Sequence, residues 1–482
     1  MRRRTKIVAT IGPSCSDQDL ISSLIRTGID VARLNFSHSD HETHARTIRW
    51  IRQEAARQGR TVGVLCDLQG PKIRVGQFSA PPRQLARGDT ITFAVNRAPS
   101  GDELPTDHDK LDQDVRKGDP LLIDDGTIET QVIAVAPGVV RCKVLTSGIL
   151  HQRKGINLPA SIVSTDALTA KDREDALFAA ENNADLIALS FVRRPEDIVE
   201  LASHLTDHGH DVPIVAKIEK PQALTNLEQI IAHCWGVMVA RGDLGVELLP
   251  EDVPMAQKRI IQAANRHAKP VITATQMLDS MRTSPRPTRA EASDVANAVL
   301  DGSDAVMLSG ETATGQFPIE SVAMMGRIIC AIEGTRQPEP LTRRRERGKD
   351  TVPESVADAC CHVAYYQQAK AIVTVTRTGA TAQLVARLRP YAPIIAFSED
   401  ASTRHRLASC WGVLPVPIAQ SSSVDDRVPL LDEQLIKLGL ANTGDLIVIC
   451  MGSPSASPGA TNVIMVHRVG DAATNIDLTE AT

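Results

Sequence analysis

Eight short apolar runs, each followed by polar residues, constrain the fold of this 482-residue chain more than any other feature. Each run is rich in Val, Ile, Leu or Ala, and segments with helical periodicity lie between most of them. The runs are Lys6 to Gly12, Val31 to Ser37, Val62 to Gly70, Asp185 to Val192, Pro213 to Glu219, Gly236 to Asp243, Pro270 to Gln276 and Asp304 to Glu311. Continuously apolar strands that alternate with helices predict a parallel sheet, and eight of them predict a (β/α)8 TIM barrel.

Two further regions interrupt or follow this alternation. The interval between Gly70 and Asp185 is too long for a βα connection, and it contains short β-like runs among Gly, Asp and Pro residues. It predicts an inserted small β-barrel domain that acts as a lid and excludes water. A charged run, Thr342 to Arg347, predicts an exposed linker to a C-terminal α/β domain, with an anion-binding patch as the more distant alternative. The predicted domains are residues 1–71 with 156–335 for the barrel, 72–155 for the lid and 336–482 for the C-terminal regulatory domain.

Composition argues against several classes of partner, although it leaves local basic clusters open. A formal net charge of -5 gives no general attraction to nucleic acid or to an anionic membrane, and 3% aromatic residues offer little surface for stacking on RNA. The nine cysteines are odd in number, lack C-x-x-C spacing and lie mostly in apolar runs, as reduced thiols do. No segment approaches about 18 consecutive apolar residues. We therefore expect a cytoplasmic protein with neither a nucleic-acid nor a membrane partner.

Polar side chains gather where the predicted strands end, and in a barrel of this kind that edge carries the active site. Lys217 and Glu219 stand two positions apart, so in a strand they share a face and point into one cavity. An internal salt bridge is the structural alternative, although buried lysines are often functional. The other polar residues at strand ends are Arg33, Asn35, Ser37, Asp67, Ser190, Arg241, Asp243, Thr275, Gln276, Ser309 and Glu311.

The carboxylates at this edge suit a hard metal ion. Glu219 and Asp243 follow neighbouring strands, so their oxygens converge and suit Mg2+ or Mn2+, unless they are only a pair of solvated acids. Arg33, Arg74, Arg241 and Lys217 would make the same cavity strongly cationic. A metal ion with cations around a phosphoryl group is the apparatus of phosphoryl transfer. Neither a P-loop nor the protein-kinase motifs occur in the chain.

A series of motifs in order along the whole chain resembles the pyruvate kinase family. The motifs are Lys6 to Ser14, Ala32 to His38, Gly70 to Arg74, Lys154 to Pro159, Ala216 to Glu219, Ala240 to Gly245, Ala274 to Leu278, Pro287 to Glu291 and Leu308 to Thr312. The resemblance implies transfer of the phosphoryl group of phosphoenolpyruvate to ADP, giving pyruvate and ATP. It also implies a homotetramer.

The resemblance assigns roles to individual residues. It implies that Glu219 and Asp243 hold the divalent ion, Lys217 stabilises the transition state and Arg33 grips the phosphate. The backbone N-H groups of Gly242 and Asp243, with Thr275, would receive the substrate carboxylate, and Thr275 would lie in the relay that protonates the enolate. The residues expected to meet the nucleotide are Asn35, Ser37, His38, Arg74 and Lys154, and Arg74 is counted among the catalytic residues as well.

Two departures from the family pattern bear on the need for K+ and on the choice of nucleotide. Lys72 stands where members that need K+ have Glu, so its ammonium is expected to replace K+ near Asn35, Ser37, Asp67 and Leu68. Thr43 replaces an aromatic residue beside the nucleotide, which leaves the preference among nucleoside diphosphates open.

A loop in the C-terminal domain resembles the phosphate loop of the family's effector site, although a plain strand-to-helix turn is the alternative. It comprises Thr376, Arg377, Thr378, Gly379, Ala380 and Thr381. The later Trp-Arg loop is replaced by Gly452 to Ala456, and Leu438 stands near the position of an arginine that binds fructose 1,6-bisphosphate. We therefore expect activation by a monophosphate: ribose 5-phosphate, glucose 6-phosphate or AMP.

Two rival functions can be weighed against these residues. A metal-dependent lyase or aldolase of the phosphoenolpyruvate/pyruvate barrel group could use the same Glu219 and Asp243, but it would not explain Lys154 on the lid or Arg74. A non-enzymatic binding protein predicts that at least one charged site residue is lost, and all of them are present.

Overall fold

The computed structural model describes residues 3–78, 81–159, 161, 164–335, 351–420, 423–453 and 460–471. The predicted linker from Thr342 to Arg347 and residues 454–456 lie outside the described residues.

The strands follow the predicted order of barrel, insertion, barrel and C-terminal domain. The barrel begins with β1 (Lys6–Ile11), β2 (Val31–Asn35) and β3 (Gly63–Asp67). The insertion contributes β4 (Arg83–Leu85), β5 (Thr90–Ala94), β6 (Leu104–Pro105), β7 (Pro120–Ile123), β8 (Ile128–Ala136), β9 (Val139–Val144), β10 (Gly148–Leu150) and β11 (Ile156–Asn157). The barrel resumes with β12 (Leu186–Leu189), β13 (Ile214–Ile218), β14 (Gly236–Ala240), β15 (Val271–Ala274) and β16 (Ala305–Leu308). The C-terminal domain contains β17 (Ala371–Val375), β18 (Ile394–Ser398), β19 (Val413–Pro417), β20 (Leu446–Met451) and β21 (Val463–Arg468).

Helices cover the barrel and the C-terminal sheet. Those of the barrel and insertion are α1 (Gln18–Thr27), α2 (His41–Arg57), α3 (Leu111–Asp114), α4 (Ala170–Glu181), α5 (Pro195–Asp207), α6 (Pro221–Thr225), α7 (Leu227–His233), α8 (Arg241–Glu247), α9 (Val253–Arg266), α10 (Arg289–Leu300), α11 (Gly310–Ala313) and α12 (Pro318–Gly334). The C-terminal domain adds α13 (Val352–Tyr366), α14 (Ala380–Ala386), α15 (Ala401–Leu407) and α16 (Val424–Lys437). N-cap side chains stabilise the first turns of α4 and α10: Thr169 and Thr288 each form a capping box with the third residue of the helix.

Eight parallel strands close the barrel in the order β1-β16-β15-β14-β13-β12-β3-β2, which confirms the predicted (β/α)8 fold. The strands are almost wholly buried because helices cover their outer face. Each ends one to three residues before the predicted run ends, as at Asn35 and Ala274. Polar residues such as Glu219 and Thr275 therefore lie just beyond the strands, at the mouth of the barrel.

The insertion folds around a separate apolar core. A six-stranded sheet in the order β11-β7-β8-β9-β5-β6 and a two-stranded sheet of β10 and β4 enclose that core, to which Phe93, Leu121 and Val140 belong. Strand β11 pairs with β7, so the lid sheet reaches Asn157, two residues beyond the predicted boundary at 155. The lid therefore joins the barrel through Gly70–Pro71 on one side and through the residues after Asn157 on the other.

The C-terminal domain is a five-stranded α/β sheet in the order β19-β18-β17-β20-β21, in which only the pairing of β20 with β21 is antiparallel. It packs against the barrel end opposite the mouth: Lys6 Nζ donates to the carbonyl of Val413 at 2.7 Å, and Arg389 pairs with Asp304 at 2.9 Å. Within the described ranges, no helix is both long enough and apolar enough to span a bilayer.

Candidate active site

Lys217 occupies the centre of the barrel mouth. Its ammonium lies 2.9 Å from Glu219 Oε1 and 3.3 Å from Asp67 Oδ1, and it donates to Ser190 Oγ at 2.7 Å. Burial alone would lower the pKa of Lys217, but the charges of Asp67, Glu219 and Asp243 raise it above its ordinary value. The side chain is therefore a fixed positive charge at neutral pH, and it shares one cavity with Glu219 as the strand alternation predicts.

Asp67 links the two cations of the site. It is fully buried, and its Oδ2 accepts from Arg33 Nε and lies 2.7 Å from the terminal Nη2 of the same guanidinium. Arg33 Nη1 also donates to Thr10 Oγ1 at 3.0 Å. Burial alone would raise the pKa of Asp67, but Lys217 and Arg33 hold it below its ordinary value. Asp67, which the sequence suggested only as part of a monovalent-cation site, thus orients Arg33 and Lys217 toward the cavity.

Glu219 and Asp243 are the two carboxylates that the sequence predicts as metal ligands. Glu219 Oε2 accepts from the backbone N-H of Phe191 at 2.8 Å, whereas its buried Oε1 accepts no well-directed hydrogen bond from any described residue. Burial raises the pKa of Glu219, Lys217 opposes that effect, and the charge of Asp243 adds to it. Asp243 lies in the first turn of α8.

These donors fit a divalent metal ion. Glu219 Oε1 is buried and accepts no well-directed hydrogen bond, although the Lys217 ammonium lies 2.9 Å away, and the charge of Asp243 acts on the same carboxylate. Carboxylate oxygens in such a setting suit Mg2+ or Mn2+. Within the described ranges, no group of three or more His, Cys, Asp or Glu is arranged to hold a metal. Glu219 and Asp243 would therefore share the ion with water and with substrate oxygens, as Mg2+ sites commonly do.

Thr275 is held in a strained backbone conformation. It and Gln276 have φ values of 69° and 53°, which L-residues other than Asn and Asp seldom adopt. The Thr275 hydroxyl accepts from the N-H of Gly242 at 2.7 Å and donates to the carbonyl of Ala274 at 2.6 Å. The strained turn thereby places the Thr275 hydroxyl against the N-terminal end of α8.

Arg241 differs from the expectation that it adds charge to the cavity. Its guanidinium turns toward the end of β15, where it donates to the carbonyls of Ala274 and Thr275, and it pairs with Asp294 of α10 at 2.6 Å. These partners satisfy the Arg241 guanidinium, since a buried cation needs a carboxylate and hydrogen-bond acceptors in place of water. Arg241 therefore supports the Thr275 turn, and Arg33 and Lys217 remain as the cations facing the carboxylates.

Three of the predicted nucleotide residues, Asn35, Ser37 and His38, lie in a tight turn after β2. Asn35 Oδ1 accepts from the N-H of Ser37 at 3.1 Å, and the N-H of His38 donates to the carbonyl of Asn35 at 3.1 Å. His44, stacked on Phe36 with ring centroids 4.3 Å apart, contacts the carbonyl of His38 through Nε2 at 2.9 Å. The turn is thus braced from α2.

The lid cations have carboxylate partners that sequence reasoning missed. Lys154 pairs with Asp124 at 2.8 Å, and Lys72 lies 3.9 Å from Asp125. Arg74 is half-buried and donates to the carbonyl of Arg153 at 3.2 Å. The signal in the sequence was Asp124-Asp125-Gly126 directly after β7, since such a segment marks a turn that presents polar side chains. The structure therefore groups Arg33, Asp67, Lys217 and Glu219 at the mouth, and it places Lys72, Arg74 and Lys154 on the lid side.

The fold and the cations and carboxylates at the barrel mouth are those of a barrel-type phosphotransferase. The chain belongs to the pyruvate kinase family. The family model for the pyruvate kinase barrel domain matches residues 2–322, and the model for the pyruvate kinase alpha/beta domain matches residues 354–467.

Relatives match the chain over nearly its whole length. A pyruvate kinase of Mycobacterium intracellulare is 46% identical over 473 residues, covering 98% of this chain and 99% of its own. A pyruvate kinase of Corynebacterium glutamicum is 44% identical over 472 residues, covering 98% of each chain. A crystal structure of a pyruvate kinase from Cryptosporidium parvum superimposes with a TM-score of 0.91 at 37% identity, covering 97% of this chain and 96% of that one. The similarity therefore extends to all three domains.

Proposed function

We propose that the protein transfers the phosphoryl group of phosphoenolpyruvate to ADP, giving pyruvate and ATP. The observation that carries this proposal is the Lys217 ammonium, held between Asp67 and Glu219 at the mouth of the barrel. The family membership supports it, and so do the Lys and Arg side chains that the lid presents. A coupled assay with purified protein, phosphoenolpyruvate, ADP and Mg2+ tests it by measuring pyruvate and ATP in equal amounts. Chelation of the metal should stop both.

The phosphoryl step uses charges that are already in place. Arg33, oriented by Asp67, would bind the phosphate of phosphoenolpyruvate, and Lys217 would contact a transferring oxygen. The bond from phosphorus to the enol oxygen breaks while a bond forms to a terminal β-phosphate oxygen of ADP. Mg2+ held by Glu219 and Asp243 would add positive charge where the phosphoryl oxygens need it. Because the cations are fixed before reaction, little reorganisation opposes the transfer.

The second half of the reaction protonates the enolate that phosphoryl transfer leaves behind. The N-H groups of Gly242 and Asp243, with the Thr275 hydroxyl, would hold the substrate carboxylate, which fixes the plane of the enolate. Thr275 would pass a proton toward the methylene carbon, and pyruvate results. The strained turn at Thr275 and its hydrogen bond to Gly242 support this role, since both fix the hydroxyl beside α8.

The lid would complete the nucleotide site. Asn35, Ser37 and His38 on the barrel, with Arg74 and Lys154 on the lid, would meet the phosphates of ADP. Lys154 would exchange the carboxylate of Asp124 for a nucleotide phosphate, a substitution of one anion for another. Closure would exclude water, which otherwise competes with ADP for the phosphoryl group.

We also propose a cytoplasmic homotetramer. All nine cysteines, each within the described residues, are free thiols and eight of them are buried, which fits a reducing compartment. The tetramer rests on the family resemblance alone.

We expect the enzyme to work without K+. The contact of Lys72 with Asp125 is long, and Asp125 is 71% exposed, so this pair is weak and Lys72 can move toward Asp67 and Ser37 when the lid closes. Velocity with Na+ or tetramethylammonium as the only monovalent cation should match that with K+. A Lys72→Glu variant should become K+-dependent by about tenfold or more, whereas Lys143→Glu on the exposed lid surface should not. Strong stimulation of the wild type by K+ would count against this role.

We expect the loop of Thr376 to Thr381 to bind a sugar monophosphate or AMP. The N-H of Gly379 donates to Thr376 Oγ1 at 2.9 Å, which shapes the turn, and Arg377 and Thr378 are exposed beside it. Ribose 5-phosphate, glucose 6-phosphate or AMP should lower the half-saturating phosphoenolpyruvate concentration by about fivefold or more, and fructose 1,6-bisphosphate should do less. An Arg377→Ala variant should lose the response and an Arg468→Ala variant should keep it. A fully retained response in Arg377→Ala would refute the site.

A further inference from the structure

A buried carboxylate behind the metal donors has no role in the chemistry described above. Glu247, the last residue of α8, is 5% exposed. Its Oε1 lies 2.6 Å from Lys220 Nζ and accepts from Asn157 Nδ2 at 2.9 Å. Lys220 and Asn157 are themselves largely buried. One oxygen therefore joins three separate segments: α8, the loop after β13 and the lid strand β11.

Two of these segments carry the metal donors. Lys220 directly follows Glu219, and Glu247 stands four residues after Asp243, one helical turn along α8. A second connection reinforces the first: Lys220 Nζ lies 5.6 Å from the centre of the Phe191 ring, and the backbone N-H of Phe191 donates to Glu219 Oε2. The separation of the two donor segments thus depends on a contact between Lys220 and Glu247.

The third segment belongs to the lid. Asn157 pairs with Leu122 of β7, and β7 leads directly into Asp124 and Asp125, which contact Lys154 and Lys72. A shift of the lid sheet would therefore act on Asn157 and, through Glu247, on α8.

We propose that Glu247 is a positioning residue that fixes the spacing of the Glu219 and Asp243 carboxylates and couples it to the orientation of the lid. This inference rests on the proposed function, since it gives these two carboxylates the metal. A side chain that holds metal donors in place typically alters metal affinity when it is removed. Because Asn157 is the lid's contribution, its loss should loosen the lid while Lys220 and Glu247 still hold the donors.

Binding of Mn2+ to the free full-length enzyme, followed by electron paramagnetic resonance, tests this without requiring catalysis. Glu247→Ala should weaken Mn2+ binding by about tenfold, and Lys220→Met should weaken it similarly. Glu247→Gln, which keeps an acceptor, should lie between Glu247→Ala and wild type. Asn157→Ala should leave Mn2+ affinity unchanged but raise the KM for ADP by about fivefold, a change that a purely structural role would not produce. The control is Glu251→Gln, which removes an exposed carboxylate four residues after Glu247 and should leave Mn2+ affinity at the wild-type value.

Other results would contradict the positioning role of Glu247 or separate it from the proposed function. If Mn2+ affinity stays at the wild-type value in Glu247→Gln and Lys220→Met while only the melting temperature falls, Glu247 is structural and the inference is wrong. If Glu247→Ala does not fold, the Mn2+ affinities of Glu247→Gln and Lys220→Met test the same proposal. If the wild type forms no ATP yet the Glu247 variants lose Mn2+ affinity, the proposed function fails and the positioning role survives.

Discussion

Replacement of Lys217 by Met is expected to lower kcat for ATP formation by about a thousandfold, or about 4 kcal/mol of transition-state stabilisation. The Lys217 ammonium lies 2.9 Å from Glu219 and 3.3 Å from Asp67, and its raised pKa keeps it charged. Met fills a similar volume without a charge, so the transferring phosphoryl group would face two carboxylates with less compensation. Steady-state kinetics at saturating phosphoenolpyruvate, ADP and Mg2+ measure the effect.

A matched control separates this effect from general damage. Lys258→Met removes a lysine of α9 that pairs with Asp301 on the outside of the barrel, and it should keep wild-type activity. Thermal melting should show that Lys217→Met remains folded. Turnover by Lys217→Met within tenfold of the wild type would mean that the ammonium does not act on the phosphoryl group.

Replacement of Asp67 by Asn is expected to lower kcat/KM for phosphoenolpyruvate by about a hundredfold. The carboxylate orients Arg33 through two contacts of 2.7 Å and also pairs with Lys217. Asn keeps the shape of the side chain but carries no negative charge for the two cations. We therefore expect both a higher KM for phosphoenolpyruvate and a lower kcat. Initial rates over a range of phosphoenolpyruvate concentrations separate the two.

Replacement of Asp67 should also lower the free energy of unfolding. Asp67→Ala would leave Arg33 and Lys217 without their buried partner, and such losses destabilise a protein by about 3 to 5 kcal/mol. Urea unfolding should show this cost in Asp67→Ala and a smaller one in Asp67→Asn. Glu200→Gln, which breaks an outer ion pair with Arg173, should change neither activity nor stability much. An Asp67→Asn enzyme with wild-type kinetics would remove the bridging role.

The barrel could be predicted from sequence because its strands are apolar along their whole length and helices lie between them. The same pattern located the mouth, since Lys217 and Glu219 interrupt a buried run with charge. What the sequence could not supply were the partners of each side chain. Asp67 of β3 and Lys217 of β13 lie far apart in the chain and meet over the strand β12 that separates them, and no local spacing encodes that contact.

Long side chains caused the other differences between prediction and structure. Arg241 stands at a strand end, as the cavity residues do, yet its guanidinium reaches across to Asp294. Lys72, which the sequence predicts beside Asp67, lies 3.9 Å from Asp125 of the lid, and its role in place of K+ stays a prediction. A flexible chain of several bonds can reach several acceptors, so sequence position fixes where its backbone lies and leaves the direction of its charged end open.

In the proposed reaction Arg33, Lys217, Glu219 and Asp243 act on one phosphoryl group and deliver it to ADP. Phosphorus NMR of phosphoenolpyruvate and ADP with the purified protein and Mg2+ follows that phosphorus atom directly. The phosphoenolpyruvate signal should decay as the γ-phosphate signal of ATP grows in equal amount, with almost no transfer by Lys217→Met at the same concentration. Appearance of inorganic phosphate in place of ATP, or equal rates in both proteins, would contradict the proposed chemistry.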